Sequence, residues 1–271
     1  MTVQDWLAIS MVQLSEVGIS TARLDSLVLL EDCLGKNRAH LLAHPEIELT
    51  VEQTALLAEQ ISRRATHAPL AYIRGKTEFY SREFTVNENV LEPRPESETM
   101  IDALKTLRLP ASATIIDVGT GSGALAITAK LELPQNHVIG VDIDPDCLKV
   151  AQDNAQNLHA DIKLMLSDLI GSLTVQETSG SVLLCNLPYV PDSFQINTAA
   201  LHEPKLAIFG GPDGLDLFRK LFRHIDGVSA KPTYILSEAM PTSHETLTAI
   251  ARKHGYTQIK SEDFIQVFAF S

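Results

Sequence analysis

The stretch IIDVGTGSGALAITAK at 115–130 constrains the fold more than any other part of this chain. A β-branched, apolar run ends at Asp117 and Val118, a G-x-G-x-G loop follows at Gly119, Gly121 and Gly123, and an Ala-rich helical stretch begins at once. Strand, tight glycine turn and helix in that order make the first half of a βαβ unit. Glycine lets the backbone turn sharply and approach a ligand closely, and the free N–H groups of the following helix offer donors to it. The same residues also serve a plain strand-to-helix turn, so the loop by itself does not establish a ligand.

Downstream the pattern repeats. TIIDV, VIGVD, IKLML, SVLLC and TYILS are short apolar runs bounded by Gly, Pro, Asp or Asn, with helical stretches between most of them. They predict an α/β domain: a doubly wound, mostly parallel twisted sheet with helices on both faces. EDFIQVFAF has no helix after it and predicts an antiparallel closing strand. Upstream, Leu7, Met11 and Leu14, then Leu24, Leu27, Val28, Glu31 and Leu34, recur at helical spacing; Gly35 supplies a stop, and T-V-E-Q at 50–53 is a capping box. Three or four short helices over 1–75 make a small helical bundle. KTEFYSREFTVNENVLE at 76–92 alternates aromatic or β-branched residues with polar ones and carries turn residues at Asn87 and Asn89, which predicts a β-hairpin linker. The expected domains are 1–75, the linker 76–92, and 93–271.

Composition narrows the partners. Lys and Arg total 22 against 34 Asp and Glu, a formal charge of -12, which works against any nucleic acid held through its phosphates. Cys33, Cys147 and Cys185 fall in no C-x-x-C spacing, and His40 and His44 have no partners that complete a ligand set, so neither a disulfide framework nor a metal site is expected. The first residues carry no basic n-region, and no stretch reaches the roughly 18 apolar residues of a membrane span. A cytoplasmic, monomeric protein with no membrane partner is the expectation.

A dinucleotide fingerprint would read G-x-G-x-x-G, whereas here the third glycine comes one position early and Asp117 closes the first strand. That arrangement resembles motif I of the class I S-adenosylmethionine (SAM) methyltransferases, whose fold is Rossmann-like. The resemblance implies SAM as cofactor, with S-adenosylhomocysteine as product, and a binding loop made of Asp117, Gly119, Thr120, Gly121, Ser122 and Gly123. Asp142 closes the second strand, where a carboxylate can hydrogen-bond a ribose diol, and Asp144 and Pro145 cap and start the next helix. After the third strand, Asp168 can accept from an adenine amino group and Leu169 can line the ring. Each aspartate read alone is more often a cap or a turn residue; their order on successive strand ends carries the reading.

The fourth strand ends in C-N-L-P-Y at 185–189. Read alone this is equally a strand-ending turn, but it resembles the N-P-P-Y motif of methyltransferases that alkylate nitrogen in a planar amide or amine. An amide nitrogen is a poor nucleophile because its lone pair is delocalised, so an enzyme must fix it in line with the methyl and accept its hydrogens. The Asn186 side-chain oxygen and the Leu187 carbonyl can be two such acceptors, Leu187 is the extended residue before Pro188, and Tyr189 can pack on the amide plane; the resemblance implies that Asn186 also borders the cofactor.

Further segments extend the resemblance to nearly the whole chain. P-L-A-Y-I-R-G at 69–75, E-P-R-P-E-S-E at 92–98, the glycine loop, N-L-P-Y and E-P-K-L-A-I-F-G-G-P-D-G-L at 203–215 occur in the order seen in the PrmC/HemK family, the peptide chain release factor glutamine methyltransferases. The resemblance implies SAM-dependent methylation of the glutamine amide in the Gly-Gly-Gln loop of class I release factors, with Asn186, Leu187, Pro188 and Tyr189 holding the glutamine and residues 1–75 recognising the protein substrate. It also sets Arg94, Pro95 and Glu96 near the cofactor pocket. The chain departs from the family at Leu187, where a proline is usual, at Glu92, and in its tail after Glu262 and Asp263. Two alternatives stand beside this reading: an adenine N-methyltransferase acting on DNA or RNA, and a non-catalytic SAM-binding protein.

Overall fold

The computed structural model describes residues 1–271, which divide into two compact units: Met1–Gly75 with Asn197–His202, and Lys76–Ile196 with Glu203–Ser271. The first unit is helical: α1 (Val3–Glu16), α2 (Ala22–Leu34), α3 (Arg38–Ala43), α4 (Val51–Ala65) and α5 (Leu70–Arg74). Capping boxes start α1 at Thr2 and Asp5 and α4 at Thr50 and Gln53, and Gly35 ends α2 in the left-handed conformation at φ 60°. Trp6, Leu14, Leu29, Leu30, Leu57 and Ile61 fill its core. Asp25 is buried on α2 and takes the Arg64 Nε at 2.7 Å, tying α2 to α4. The sequence predicted three or four helices; α3 and α5, of six and five residues, are too short to show a helical period.

The second unit opens with the hairpin β1 (Lys76–Phe79) and β2 (Arg82–Thr85). Its turn falls on Tyr80 and Ser81, at φ 51° and 58°, the left-handed pair that two-residue hairpins prefer. Neither residue favours that conformation, and contacts with the next helix offset the cost. Tyr80 N–H donates to Glu98 Oε1 at 2.7 Å and its hydroxyl to Asp102 Oδ1 at 2.8 Å. Asn87 makes a separate Asx turn past the hairpin, its Oδ1 accepting the Asn89 N–H at 3.0 Å.

After α6 (Glu98–Thr106) the chain alternates β3 (Thr114–Val118), α7 (Ala124–Glu132), β4 (His137–Asp142), α8 (Pro145–Asn157), β5 (Lys163–Leu166), α9 (Val175–Thr178), β6 (Val182–Cys185), α10 (Asp216–Gly227), β7 (Tyr234–Glu238) and α11 (His244–Lys253), and closes with β8 (Tyr256–Glu262) and β9 (Ile265–Phe270). The sheet order is β5-β4-β3-β6-β7-β9-β8, parallel except for β9, which pairs antiparallel with both β7 and β8. β9 is the antiparallel strand predicted from EDFIQVFAF. β8 went unread: of its seven residues only Tyr256 is buried, so it lacks an apolar stripe.

Successive residues of the central strands enter opposite cores. Ile115, Val182, Leu184 and Leu236 join Phe79 and Phe84 of the hairpin on one face. Ile116, Leu183, Cys185 and Ile235 join Phe218, Leu221 and Phe222 of α10 on the other. Burial on both faces is why these strands read as unbroken apolar runs. The chain starts the sheet at β3, winds outward through β4 and β5, then returns to the other side of β3 at β6. That reversal opens a crevice at the carboxyl ends of β3 and β6, where ligands bind in open α/β sheets.

Candidate active site

Register brings the candidate residues to that crevice. Asp117 pairs with Leu184 on one side and Gly140 on the other, so Gly119, Asn186 and Asp142, each two residues further on, end neighbouring strands side by side. A Cβ on Gly119 would lie 3.4 Å from Leu187 Cδ2, so the glycine loop and the N-L-P-Y turn are in direct contact.

The loop is held from below. Gly119 and Thr120 N–H both donate to the Val141 carbonyl, at 2.8 and 2.9 Å, and Gly121 N–H to Asp142 Oδ2 at 2.9 Å. Gly119, Gly121 and Gly123 have φ of 77°, 54° and 82°, conformations that side chains rarely adopt. Asn154 of α8, almost fully buried, donates to the Ser122 carbonyl at 2.9 Å while bonding both backbone groups of Thr85 in the hairpin.

Asp117 lies under the loop. Its Oδ2 accepts the Thr120 hydroxyl at 2.7 Å and the Ala126 N–H at 3.1 Å, and its Oδ1, also buried, has no partner. Burial lifts this carboxyl from 3.8 to about 7, against the pull of the two hydrogen bonds. Asp142 is likewise raised by burial, against the pull of backbone hydrogen bonds from Gly121, Asp144 and Ile143; its Oδ1 accepts Asp144 N–H at 3.0 Å.

Asp168 is half exposed and pairs with Lys220 Nζ of α10 at 2.5 Å. Leu169, at φ 51°, turns into the core shared with α10. Beside Leu166, the last residue of β5 and 55% exposed, the apolar side chain standing free at this rim is Ile143, directly after Asp142 and 65% exposed. Sequence reading passed over it as the residue between two aspartates.

Asn186 sits in a short polar chain. Its Nδ2 donates to Ser97 Oγ at 2.9 Å, Ser97 donates to Glu238 Oε2 at 2.6 Å, and the Tyr189 hydroxyl donates to Glu238 Oε1 at 3.0 Å. Ser97 precedes α6 and Glu238 ends β7; both are fully buried. Burial raises the Glu238 carboxyl above the usual range, with the hydrogen bonds from Ser97 and Tyr189 pulling it back. Neither residue was picked out as a candidate, although Ser97 lies within the E-P-R-P-E-S-E segment.

The 203–215 segment is the backing of the same turn. Val190 N–H donates to the Ile208 carbonyl at 3.0 Å and Gly210 N–H to the Val190 carbonyl at 2.9 Å, a short parallel bridge. A Cβ on Gly210 would overlap the Pro188 carbonyl, and one on Gly214 the Tyr189 carbonyl, so only glycine lets the two backbones meet. Arg94 pairs with Glu203, whose side chain is 2% exposed, and lies 3.6 Å from Glu92. Pro95, Glu96 and Ser97 form a 3-10 turn leading into α6.

This sheet order, with a glycine loop after its first strand and Asn186 at the reversal point, defines a class I methyltransferase domain of the SAM-dependent kind. Solved structures share the fold: a methyltransferase from Pyrococcus furiosus (TM-score 0.51, 16% identity, covering 82% of this chain and 98% of that one) and the hMettl16 catalytic domain in complex with a MAT2A 3'UTR hairpin (TM-score 0.55, 14% identity, 82% of each). The PrmC N-terminal domain model matches residues 5–75, and the ribosomal protein L11 methyltransferase (PrmA) model matches residues 96–188. The release factor glutamine methyltransferase of Koribacter versatilis is 37% identical over 227 residues, covering 82% of this chain and 80% of the relative. That of Deinococcus radiodurans is 32% identical over 261 residues, covering 94% and 92%. The chain belongs to the release factor glutamine methyltransferase family, as its motifs implied. No helix is long and apolar enough to cross a membrane.

Proposed function

We propose that this chain methylates the side-chain amide nitrogen of the glutamine in the Gly-Gly-Gln loop of a class I release factor, with SAM as donor. The observation that carries the reading is the adjacency of Asn186 to the glycine loop, given by the pairing of Asp117 with Leu184. It joins an amide-holding turn to a cofactor-type loop within one crevice.

The residues fit the cofactor. Asp117 Oδ1 is a buried oxygen with no partner, the orphan a cationic donor group would satisfy. A Cβ on Gly121 would meet nothing within 4 Å, so the loop has open space above it. In this reading Asp117 and residues 119–123 hold the cofactor's charged end, Asp142 the ribose, and Ile143 packs on the base. Asp168 reaches it only if Lys220 gives way. When bound, SAM supplies a methyl group activated by its sulfonium.

The chain's own part is positioning. Asn186 Oδ1 and the Leu187 carbonyl accept the two amide hydrogens, which orients the nitrogen and steadies the charge it gains. Leu187 replaces the family proline, but the acceptor belongs to the backbone and survives. No strong base is required, since an N-protonated amide gives its proton to water readily. Residues 1–75 recognise the release factor, a cytoplasmic partner.

Transfer of labelled methyl from SAM to purified release factor tests the reading, with a Gly-Gly-Ala variant and a DNA and tRNA panel alongside. Label on the release factor that vanishes with the glutamine is the expected result. Label on nucleic acid, or SAM binding with no transfer to any acceptor, would replace it with one of the two alternatives.

A further inference from the structure

An asparagine amide has two ends of nearly equal shape and opposite hydrogen-bonding character. Asn186 works as an acceptor only if its carbonyl, and not its NH2, faces the substrate. The proposed chemistry therefore depends on which way that amide is turned, and nothing in Asn186 itself fixes the choice.

Donor and acceptor counting through the neighbouring groups does. When ionised, the Glu238 carboxylate is acceptor-only, and its two oxygens receive the Ser97 hydroxyl at 2.6 Å and the Tyr189 hydroxyl at 3.0 Å. Ser97 has one proton and spends it on Glu238, so towards Asn186 its oxygen can only accept. The group at 2.9 Å from it must then be the Asn186 NH2. Turning the amide over would set its carbonyl against the lone pairs of Ser97 with no proton between them, inside a buried site where such a mismatch is costly.

We infer that Ser97 and Glu238 are positioning residues for methyl transfer, forming a one-way hydrogen-bond chain from Glu238 through Ser97 that locks the Asn186 carbonyl towards the substrate amide. Glu238 ends β7, Ser97 precedes α6 and Asn186 follows β6, so the chain joins three elements of one unit. Tyr189, on the opposite oxygen of Glu238, is oriented by the same carboxylate. This inference rests on the proposed role of Asn186 and adds what sets its polarity.

Two measurements test it. The first compares Ser97→Ala, Ser97→Thr and Glu238→Gln for kcat, KM for the release factor, and SAM affinity. Ser97→Ala removes the acceptor, and kcat should fall about 10- to 100-fold with KM and SAM affinity within about threefold of wild type. Ser97→Thr keeps the hydroxyl and should recover most of the rate. Glu238→Gln can offer an N–H to Ser97 and so permits the reversed chain; it should lower kcat in the same manner. Wild-type kcat in Ser97→Ala, or equal losses in Ser97→Ala and Ser97→Thr, overturns the inference.

The second measurement needs no substrate. The side-chain amide resonance of Asn186, assigned by its loss in Asn186→Asp, should exchange slowly with water in the wild-type protein and in Ser97→Thr. In Ser97→Ala it should exchange quickly. An Asn186 amide that exchanges freely in the wild-type protein overturns the chain even where Ser97→Ala does not fold. Failure of wild-type methyl transfer with a protected Asn186 amide counts instead against the substrate assignment, and so separates the two.

Discussion

Replacing Asp117 by Asn tests the cofactor assignment through a property of the ligand-free protein. The Asp117 carboxyl is raised from 3.8 to about 7, chiefly by burial. The unfolded chain gives up this proton near pH 4 and the folded chain holds it until about pH 7. Its contribution to stability is therefore full at low pH and is lost as pH rises through about 7. Between pH 5 and pH 8 that loss integrates to roughly 2–3 kcal/mol. Asn is neutral throughout. Its carbonyl can take over the bonds from Thr120 and Ala126, and its NH2 replaces the unpartnered Oδ1. Urea unfolding of both proteins at pH 5 and pH 8 supplies four stabilities. The difference between wild type and Asp117→Asn should move by roughly 2–3 kcal/mol in favour of the variant at pH 8, the carboxyls away from Asp117 cancelling in the subtraction. SAM affinity at pH 8 should weaken about 10- to 100-fold in the variant, the cost of losing a charge-assisted hydrogen bond. Parallel pH profiles with unchanged affinity would refute both the buried charge and its use.

Two further substitutions test the backing of the N-L-P-Y turn. Gly214→Ala sets a methyl against the Tyr189 carbonyl at φ +78°; kcat should fall at least about tenfold while SAM affinity holds, and a rate like wild type in steady-state assays would show that the turn does not depend on this contact. Arg94→Ala strands the buried Glu203 carboxylate and should lower stability by about 1–3 kcal/mol, with Glu203→Gln in the same protein restoring most of it in thermal unfolding.

What the sequence made legible was whatever is encoded locally. The capping box at Thr50 and Gln53, the left-handed stop at Gly35, the runs that became β3, β4, β5, β6 and β7, and the cap and start of α8 at Asp144 and Pro145 each depend on residues a few positions apart. The parts that escaped depend on distance. Tyr80 and Ser81 turn the hairpin where α6 holds Tyr80, and their own preferences point elsewhere. Ser97 and Glu238 lie 141 residues apart, and Arg94 and Glu203 109 apart, so no spacing rule could pair them. Asp168 and Leu169 were read from their place in a series of strand ends, but the helix beside them decides where they point: Lys220 takes one and the core of α10 the other.

The position of β9 between β7 and β8 bears on how this molecule comes into being. During synthesis every other strand of the sheet leaves the ribosome first, yet β8 cannot join it, because the strand that bridges it to β7 has not been made. Until residues 265–270 emerge, the edge of β7 is bare and the slots for Val267 and Phe268 in the two cores are open to water. Closure of the sheet is thus a late event. β7 also carries Glu238, so the strand that completes the sheet braces the carboxylate on which Asn186 depends, and the enzyme cannot mature ahead of its last strand.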